Sequence, residues 1–155
     1  MRIFLATDHA GFVLKEEIKV WLHTLGYSVS DEGAFIVEPE DDYPEFVQIV
    51  AKQVSASPEE DRGIIFGGSG QGEAITANRF RNVRAAVYYG GDEQIVRLSR
   101  EHNNANILSI GARFVNLERA KEVIKLWLDT EFTGEERHIR RLAKIDTPVQ
   151  GANEF

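Results

Sequence analysis

The stretch that decides the fold runs from Gly63 to Glu73 and reads Gly-Ile-Ile-Phe-Gly-Gly-Ser-Gly-Gln-Gly-Glu. It begins with a short apolar segment, continues through a glycine-rich loop, and ends where a helix is expected to start. In α/β proteins this strand–loop–helix order places ligands at the carboxyl end of the strand. The four glycines at positions 67, 68, 70 and 72 exceed what a turn needs. The loop is therefore predicted to bind an anion through its N–H groups, and the alternative is a plain strand–helix turn.

The residue that follows the loop, Glu73, separates it from the common nucleotide-binding loops. A dinucleotide-binding loop has its third glycine at this position, and a P-loop has a lysine there. A carboxylate beside an anion-binding loop suits a base that faces a developing oxyanion. The alternative is that Glu73 only caps the helix. For a base, the nearby helix N-terminus is expected to favour the ionised form.

Outward from this segment, strand-like and helix-like patterns alternate along the chain. Strands are predicted at residues 2–7, 27–30, 63–66, 83–88 and 105–110, and helices at 12–25, 44–54, 72–79, 93–102, from the cap Asn116 to 129, and 135–145. This alternation predicts an α/β fold: a Rossmann-like, doubly wound parallel sheet of about five strands in a three-layer αβα sandwich. Residues 1–145 are expected to form a single domain, and residues 146–155 a C-terminal tail of the kind that is often disordered.

Composition narrows the classes of function. The chain of 155 residues contains no cysteine, which excludes disulfides, thiolate metal sites and thiol nucleophiles. The net charge of −7 disfavours nucleic-acid binding. No stretch has the length of a membrane span or the pattern of a signal peptide, so a cytoplasmic protein is expected. No metal is expected either, because no metal-ligand spacing joins His9, His23, His102 and His138. A small anionic ligand is suggested by a basic cluster of Arg137, Arg140, Arg141 and Lys144.

Further motifs lie at intervals along the chain. They are Thr7-Asp8-His9-Ala10-Gly11-Phe12 with Lys15, Asp42-Tyr43-Pro44, Gly67–Glu73 with Ala77-Asn78, Glu101-His102-Asn103-Asn104-Ala105-Asn106, Gly111-Ala112-Arg113, and Arg137-His138 with Arg141. In this order, over residues 1 to 145, they resemble the ribose-5-phosphate isomerase B family, which also includes the galactose-6-phosphate isomerase subunits. The resemblance implies a sugar-phosphate aldose–ketose isomerase that needs no metal or organic cofactor.

The family comes in two catalytic versions that differ in the glycine loop. One version uses a cysteine at the first position of the loop as its base, where this chain has Gly67. The other uses a glutamate just after the loop and a serine inside it, and Glu73 and Ser69 match that version. The resemblance implies that Glu73 moves the carbon-bound proton through a cis-enediolate and that Ser69 relays a proton between the oxygens. It also implies that His102 opens the sugar ring, assisted by Asp8.

The resemblance also implies a set of substrate-binding residues: His9, Tyr43, Gly68, Gly70, Gly72, Asn103, Arg113, Arg137, His138 and Arg141. Arg137 and Arg141 lie four residues apart, so both can face one phosphate from one side of a helix. The residues alone leave other interpretations open. The arginines are also typical of a solvated helix face, and His9 of a turn. Tyr43 is equally typical of a buried aromatic position, and His102 of a helix C-terminus.

Ribose 5-phosphate and ribulose 5-phosphate are the substrates that the resemblance implies first. The assembly that it implies is a homodimer, or a pair of such dimers, with sites at the subunit boundary. A different aldose phosphate, such as allose 6-phosphate, galactose 6-phosphate or a tetrose phosphate, is the alternative within the family. A third hypothesis is a non-catalytic phosphosugar- or nucleotide-binding module. The intact Glu73, Ser69, His102 and Asp8 argue against it, because binding alone needs no base beside the loop.

Overall fold

A single parallel sheet forms the centre of the computed structural model, which describes residues 1–147. Its five strands are β1 (Arg2–Thr7), β2 (Ser28–Asp31), β3 (Arg62–Gly67), β4 (Ala85–Tyr88) and β5 (Ile107–Gly111). Their order across the sheet is β2-β1-β3-β5-β4, and every neighbouring pair is parallel. The predicted fold class is confirmed. Most of the predicted tail lies outside the described residues, whose last helix ends at Asp146.

Helices connect the strands and cover both faces of the sheet. They are α1 (Phe12–Thr24), α2 (Tyr43–Ala56), α3 (Gln71–Ala77), α4 (Gln94–Glu101), α5 (Leu117–Asp129) and α6 (Glu136–Asp146). The bounds agree with the predicted ones to within two residues. A short 3₁₀ helix at His9–Gly11 was not predicted. It forms because the Asp8 carboxylate accepts a hydrogen bond of 2.9 Å from the backbone N–H of Ala10.

Two apolar cores lie on opposite faces of the sheet. One core joins the strands to α1, α4 and α5, and its largest side chain is the fully buried Trp127. The other core joins the strands to α2 and α3 through residues such as Val50 and Ala77. The three central strands β1, β3 and β5 are buried on both faces and are nearly continuous apolar runs, as expected for a covered parallel sheet, whereas the edge strand β2 is largely polar.

The last helix, α6, takes little part in either core. Only His138 and Leu142 of α6 are buried. At its end the Asp146 carboxylate forms an ion pair of 3.1 Å with the buried guanidinium of Arg84, just before β4. Helix α6 therefore contributes few residues to the cores on the two faces of the sheet. None of the helices within residues 1–147 has the length and apolar character of a membrane span.

The strand register brings three predicted functional segments to one edge of the sheet. Thr7, the last residue of β1, pairs with Phe66 of β3, and Gly67 pairs with Gly111 at the end of β5. Asp8 and the segment from Gly111 to Arg113 therefore flank the glycine loop. The chain leaves β1 toward β2 on one side and leaves β3 toward β4 on the other. Such a reversal opens a crevice at the carboxyl ends of the strands.

Candidate active site

Hydrogen bonds to β5 and its following turn hold the glycine loop in place. The N–H of Ala112 donates to Gly67 O at 2.8 Å, and the Ser109 hydroxyl donates to Gly70 O at 2.6 Å. Gly70 has φ of +76°, which favours glycine. Among residues 1–147, the N–H groups of Gly68, Ser69 and Gly70 have no hydrogen-bond partner. The loop therefore presents free donors to an anion.

The carboxylate of Glu73 lies against the start of this loop. Its side chain is buried, with 4% of the residue exposed. A Cβ added at Gly67 would lie only 1.7 Å from Glu73 Oε1. The absence of a side chain at position 67 is therefore what makes room for the carboxylate.

The electrostatic environment of Glu73 differs from the expected one. Burial raises the pKa of the Glu73 carboxyl above its usual range, and the nearby Asp8 carboxylate acts in the same direction. A hydrogen bond from the Glu73 backbone lowers the pKa but does not outweigh burial. The expectation that the helix N-terminus would favour the ionised form is therefore wrong. Glu73 lies in the first turn of α3, but desolvation of its carboxylate outweighs the hydrogen bond that this turn supplies.

Three further predicted residues lie in the loop or beside it. The Ser69 hydroxyl accepts a hydrogen bond of 3.3 Å from the N–H of Gln71 and lies partly open to solvent. The Tyr43 ring packs on Gly72, where an added Cβ would lie 2.4 Å from the Tyr43 hydroxyl oxygen. The exposed Arg113 reaches Gly68, where an added Cβ would lie 3.3 Å from its guanidinium. These side chains surround the free N–H groups.

At the end of β1, two acidic side chains organise the turn that carries His9. Asp8 is buried and holds the turn through Ala10. Asp41, from the loop before α2, accepts hydrogen bonds from both His9 Nδ1, at 2.6 Å, and the His9 backbone N–H, at 3.1 Å. Asp41 was not identified from the sequence. It is one of four acidic residues between positions 38 and 42, and only the fold shows which of them reaches His9.

The same three side chains are the group within residues 1–147 that could hold a metal ion. One ligand-type atom of each of Asp8, His9 and Asp41 lies within 4.8 Å of the others. The short contact between His9 Nδ1 and Asp41 Oδ1 already joins two of these atoms directly. The arrangement is therefore better described as a histidine–carboxylate pair than as a metal site.

A second group of predicted residues surrounds the start of α6. The rings of His102 and His138 stack, with centroids 4.3 Å apart and planes inclined by 15°. His138 is 3% exposed, and burial lowers its pKa, with His102 and Arg137 acting in the same direction. Arg137 is exposed and forms an ion pair with Glu135, with Nε 2.8 Å from Oε2. Arg141 is also exposed.

These residues border an open cavity of about 470 Å³ along the edge strand β4. Its lining includes Val87, His102, Asn103, His138 and Arg141, and does not include Glu73. All predicted residues of this second group except Arg137 therefore line one cavity.

The two groups lie in different parts of the fold. The glycine loop follows the carboxyl end of β3, whereas His102 caps the C-terminus of α4, which runs back toward the amino ends of the strands. The eight residues of α4 alone place His102 about 12 Å from the start of that helix. No hydrogen bond or ion pair joins Glu73, Ser69 or Asp8 to the second group in the described part of the chain. Within one chain the two groups, which we call the two half-sites, therefore have no direct polar contact.

The fold and the first half-site together define a doubly wound α/β protein with a buried glutamate beside a glycine-rich loop. The chain belongs to the Ribose/Galactose Isomerase family, whose sequence model matches residues 3–145. This confirms the family that the motifs predicted.

Similar proteins cover nearly all of the chain. Ribose-5-phosphate isomerase B of Escherichia coli is 39% identical over 98% of this chain and 99% of its own length. The crystal structure of ribose-5-phosphate isomerase B from Mycoplasma genitalium with bound ribulose-5-phosphate is 36% identical, with a TM-score of 0.89 over 94% of this chain and 93% of that one. The corresponding protein of Clostridium thermocellum is 43% identical, with a TM-score of 0.87 over 94% and 95% of the two chains.

Proposed function

We propose that this protein is an aldose–ketose isomerase that interconverts ribose 5-phosphate and ribulose 5-phosphate. The observation that carries the proposal is the Glu73 carboxylate, buried against Gly67 beside free N–H groups. Similarity to ribose-5-phosphate isomerase B proteins, one of them with bound ribulose-5-phosphate, supports the choice of substrate.

In this proposal Glu73 removes the proton from one carbon of the open-chain sugar and returns it at the neighbouring carbon. The N–H groups of Gly68, Ser69 and Gly70, with that of Gly72, hold the enediolate oxygens, and Ser69 relays a proton between them. A raised pKa brings the base closer to the operating pH, where a general base transfers protons most effectively. The negative charge therefore moves from a poorly solvated carboxylate to oxygens that face hydrogen-bond donors.

The remaining residues open the ring and hold the phosphate. His102 opens the cyclic sugar with the help of Asp8, and the sugar and its phosphate are bound by His9, Tyr43, Asn103, Arg113, Arg137, His138 and Arg141. Since no direct polar contact joins the two half-sites within residues 1–147 of one chain, we infer that the working enzyme is a homodimer with its sites at the boundary, alone or paired into a tetramer. Its single domain spans residues 1–145, and its cytoplasmic location stays a prediction.

Replacing the base tests the proposal directly. Glu73→Gln keeps the size of the side chain but cannot accept the proton, so turnover of ribose 5-phosphate should fall by at least about 10²–10⁴-fold. Binding of the sugar phosphate, measured by calorimetry, should survive. The matched control is Glu118→Gln, an exposed glutamate in the first turn of α5.

Near wild-type turnover by Glu73→Gln would refute the assignment of Glu73 as the base. A wild type that binds ribose 5-phosphate but turns over none of a panel of aldose phosphates would refute the function.

A further inference from the structure

The pairing of Asp41 with His9 links two parts of the chain that lie 32 residues apart. One oxygen, Oδ1, accepts from both the ring Nδ1 and the backbone N–H of His9. The side chain of Asp41 is 8% exposed, whereas that of His9 is 31% exposed. Asp41 therefore lies behind the imidazole, and part of the ring remains open to a ligand.

The chemistry of this contact determines which ring nitrogen is free. An ionised carboxylate can only accept hydrogen bonds, so the proton between the two groups is carried by Nδ1 of His9. Nε2 is then the ring atom available to a ligand. The backbone contact fixes the turn that carries His9, so the orientation of the ring and the protonation of Nδ1 are set by the same oxygen atom.

The other oxygen of Asp41 gives a reason why a charged residue occupies this position. Oδ2 is buried and has no hydrogen-bond partner among residues 1–147. A buried carboxylate oxygen without a partner costs stability, and a neutral asparagine could accept the same two bonds through its carbonyl oxygen. A charged acceptor has one further effect, because an ionised carboxylate forms a stronger hydrogen bond with the ring N–H than a neutral carbonyl oxygen does.

We propose that Asp41 is a positioning residue for phosphosugar binding. It holds one ring proton on Nδ1 of His9 and turns Nε2 toward the phosphate of the substrate, to which Nε2 donates a hydrogen bond when it carries the second ring proton. This inference rests on the proposed function, in which His9 binds the sugar phosphate. Asp41 itself does not contact the substrate, so its whole effect passes through His9.

The first test uses the wild-type protein and needs no turnover. Long-range proton–nitrogen NMR spectra distinguish a protonated from a bare ring nitrogen, and the His9 signals are assigned by their loss in His9→Ala. The expected result is a protonated Nδ1 at neutral pH, together with a shift of Nε2 when inorganic phosphate is added. A bare Nδ1, or an unchanged Nε2 at saturating phosphate, would overturn the proposal.

The second test is a double-mutant cycle on the full chain. Asp41→Ala should raise the KM for ribose 5-phosphate about ten-fold with little change in kcat, and Asp41→Asn, which keeps an acceptor but no charge, by less. In a His9→Ala background, Asp41→Ala should cause no further loss, because Asp41 acts only through His9. Glu40→Ala, an exposed acid next in the chain, is the control and should keep the wild-type KM.

Additive losses in the double mutant would show that Asp41 acts independently of His9 and would overturn the proposal. If Asp41→Ala fails to fold, Asp41→Asn and the wild-type spectra decide the question. A wild type without isomerase activity would refute the proposed function alone, since phosphate titration of Nε2 would still decide the role of Asp41.

Discussion

The Glu73 carboxylate occupies the space that a side chain at position 67 would fill. An added Cβ at position 67 would lie 1.7 Å from Oε1 and 2.7 Å from Oε2 of Glu73, well inside any real carbon–oxygen contact. A side chain at position 67 and the buried carboxylate therefore exclude each other. A base on the first residue of the loop and a base at position 73 would have to work from the same place, so this chain can use only one of them.

Gly67→Ala tests this relation with one methyl group. The methyl group would push the Glu73 carboxylate out of its place, so kcat for ribose 5-phosphate should fall by about 10²-fold or more, as for loss of a positioned base. The control is Gly68→Ala, whose Cβ would meet the flexible guanidinium of Arg113 at 3.3 Å. Its loss should be smaller. Equal activity of Gly67→Ala and wild type, with circular dichroism showing both folded, would contradict the proposed position of the base.

Individual site residues were predictable from sequence only where a local motif marked them. Glu73 and Ser69 stand in a glycine loop after an apolar strand, which indicates a ligand site by itself. Asp41 carries no such mark, because its partner His9 is distant in sequence. The pKa of Glu73 was predicted in the wrong direction, since a sequence shows the helix start but not how deeply the carboxylate is buried.

At the scale of elements, a buried lysine joins α1 to the end of β2. Lys15 is fully buried, and its Nζ donates to Asp31 at 2.6 Å. Asp31 also accepts from the N–H of Gly33 at 3.1 Å. The segment after β2 stays bonded to the end of β1, because the N–H of Thr7 donates to Gly33 O at 2.8 Å. Asp8, the residue after Thr7, is placed by these contacts.

This cluster should make the fold sensitive to acid. Burial raises the pKa of Asp31, but hydrogen bonds from Lys15 and Lys19 outweigh it and leave the pKa below its usual value. A carboxyl group with a lowered pKa in the folded state stabilises fully above its unfolded pKa of about 3.9 and loses this contribution as the pH falls through the folded value. Asp31→Asn should therefore be less stable than wild type at pH 7, by on the order of 3 kcal/mol. The difference should shrink below about pH 4.

Urea unfolding at pH 7 and pH 3 measures both differences. Asp129→Asn removes an exposed ion pair with Lys125 and is the control, with an expected cost below about 1 kcal/mol. A difference for Asp31→Asn that is the same at both pH values would show that the ionised carboxylate does not stabilise the fold.

The helices and strands were largely predictable because the residues that begin and end them lie close to them in sequence. Asn116 caps α5 as expected, with its side chain accepting from Arg119 N–H at 2.9 Å. Gly26, with φ of +83°, follows the end of α1. Strand β4 begins two residues later than predicted. The side chain and backbone of Arg84 are instead engaged by Asn104 and Asn106, which lie far along the chain and leave no trace in the local pattern.

At the scale of the whole molecule, the two half-sites lie in different parts of one chain. Glu73 and the free N–H groups lie at the carboxyl ends of the strands, whereas Arg137 and Arg141 belong to α6 and His102 packs against it. Helix α6 is held by the stack of His138 on His102, by the buried Leu142 and by the Asp146–Arg84 ion pair, and it exposes Ile139 and Ile145. An amphipathic helix with so few buried residues is suited to contact a second copy, as the proposed homodimer requires. The resemblance of the sequence predicted sites at a subunit boundary, and this stays a prediction.

Mixing two inactive variants tests whether two copies share each site. Glu73→Gln removes the base, and Arg141→Ala removes a phosphate ligand on α6. If each site combines the glycine loop of one chain with α6 of the other, a mixed dimer has one site with both defects and one with neither. Random exchange of subunits should then restore about a quarter of the wild-type activity, because half of the dimers are mixed and each has one intact site of two. The control is each variant taken alone through the same exchange procedure. No recovery despite exchange shown by mass spectrometry would place base and arginine in one chain. A monomer by light scattering at assay concentration would exclude shared sites altogether.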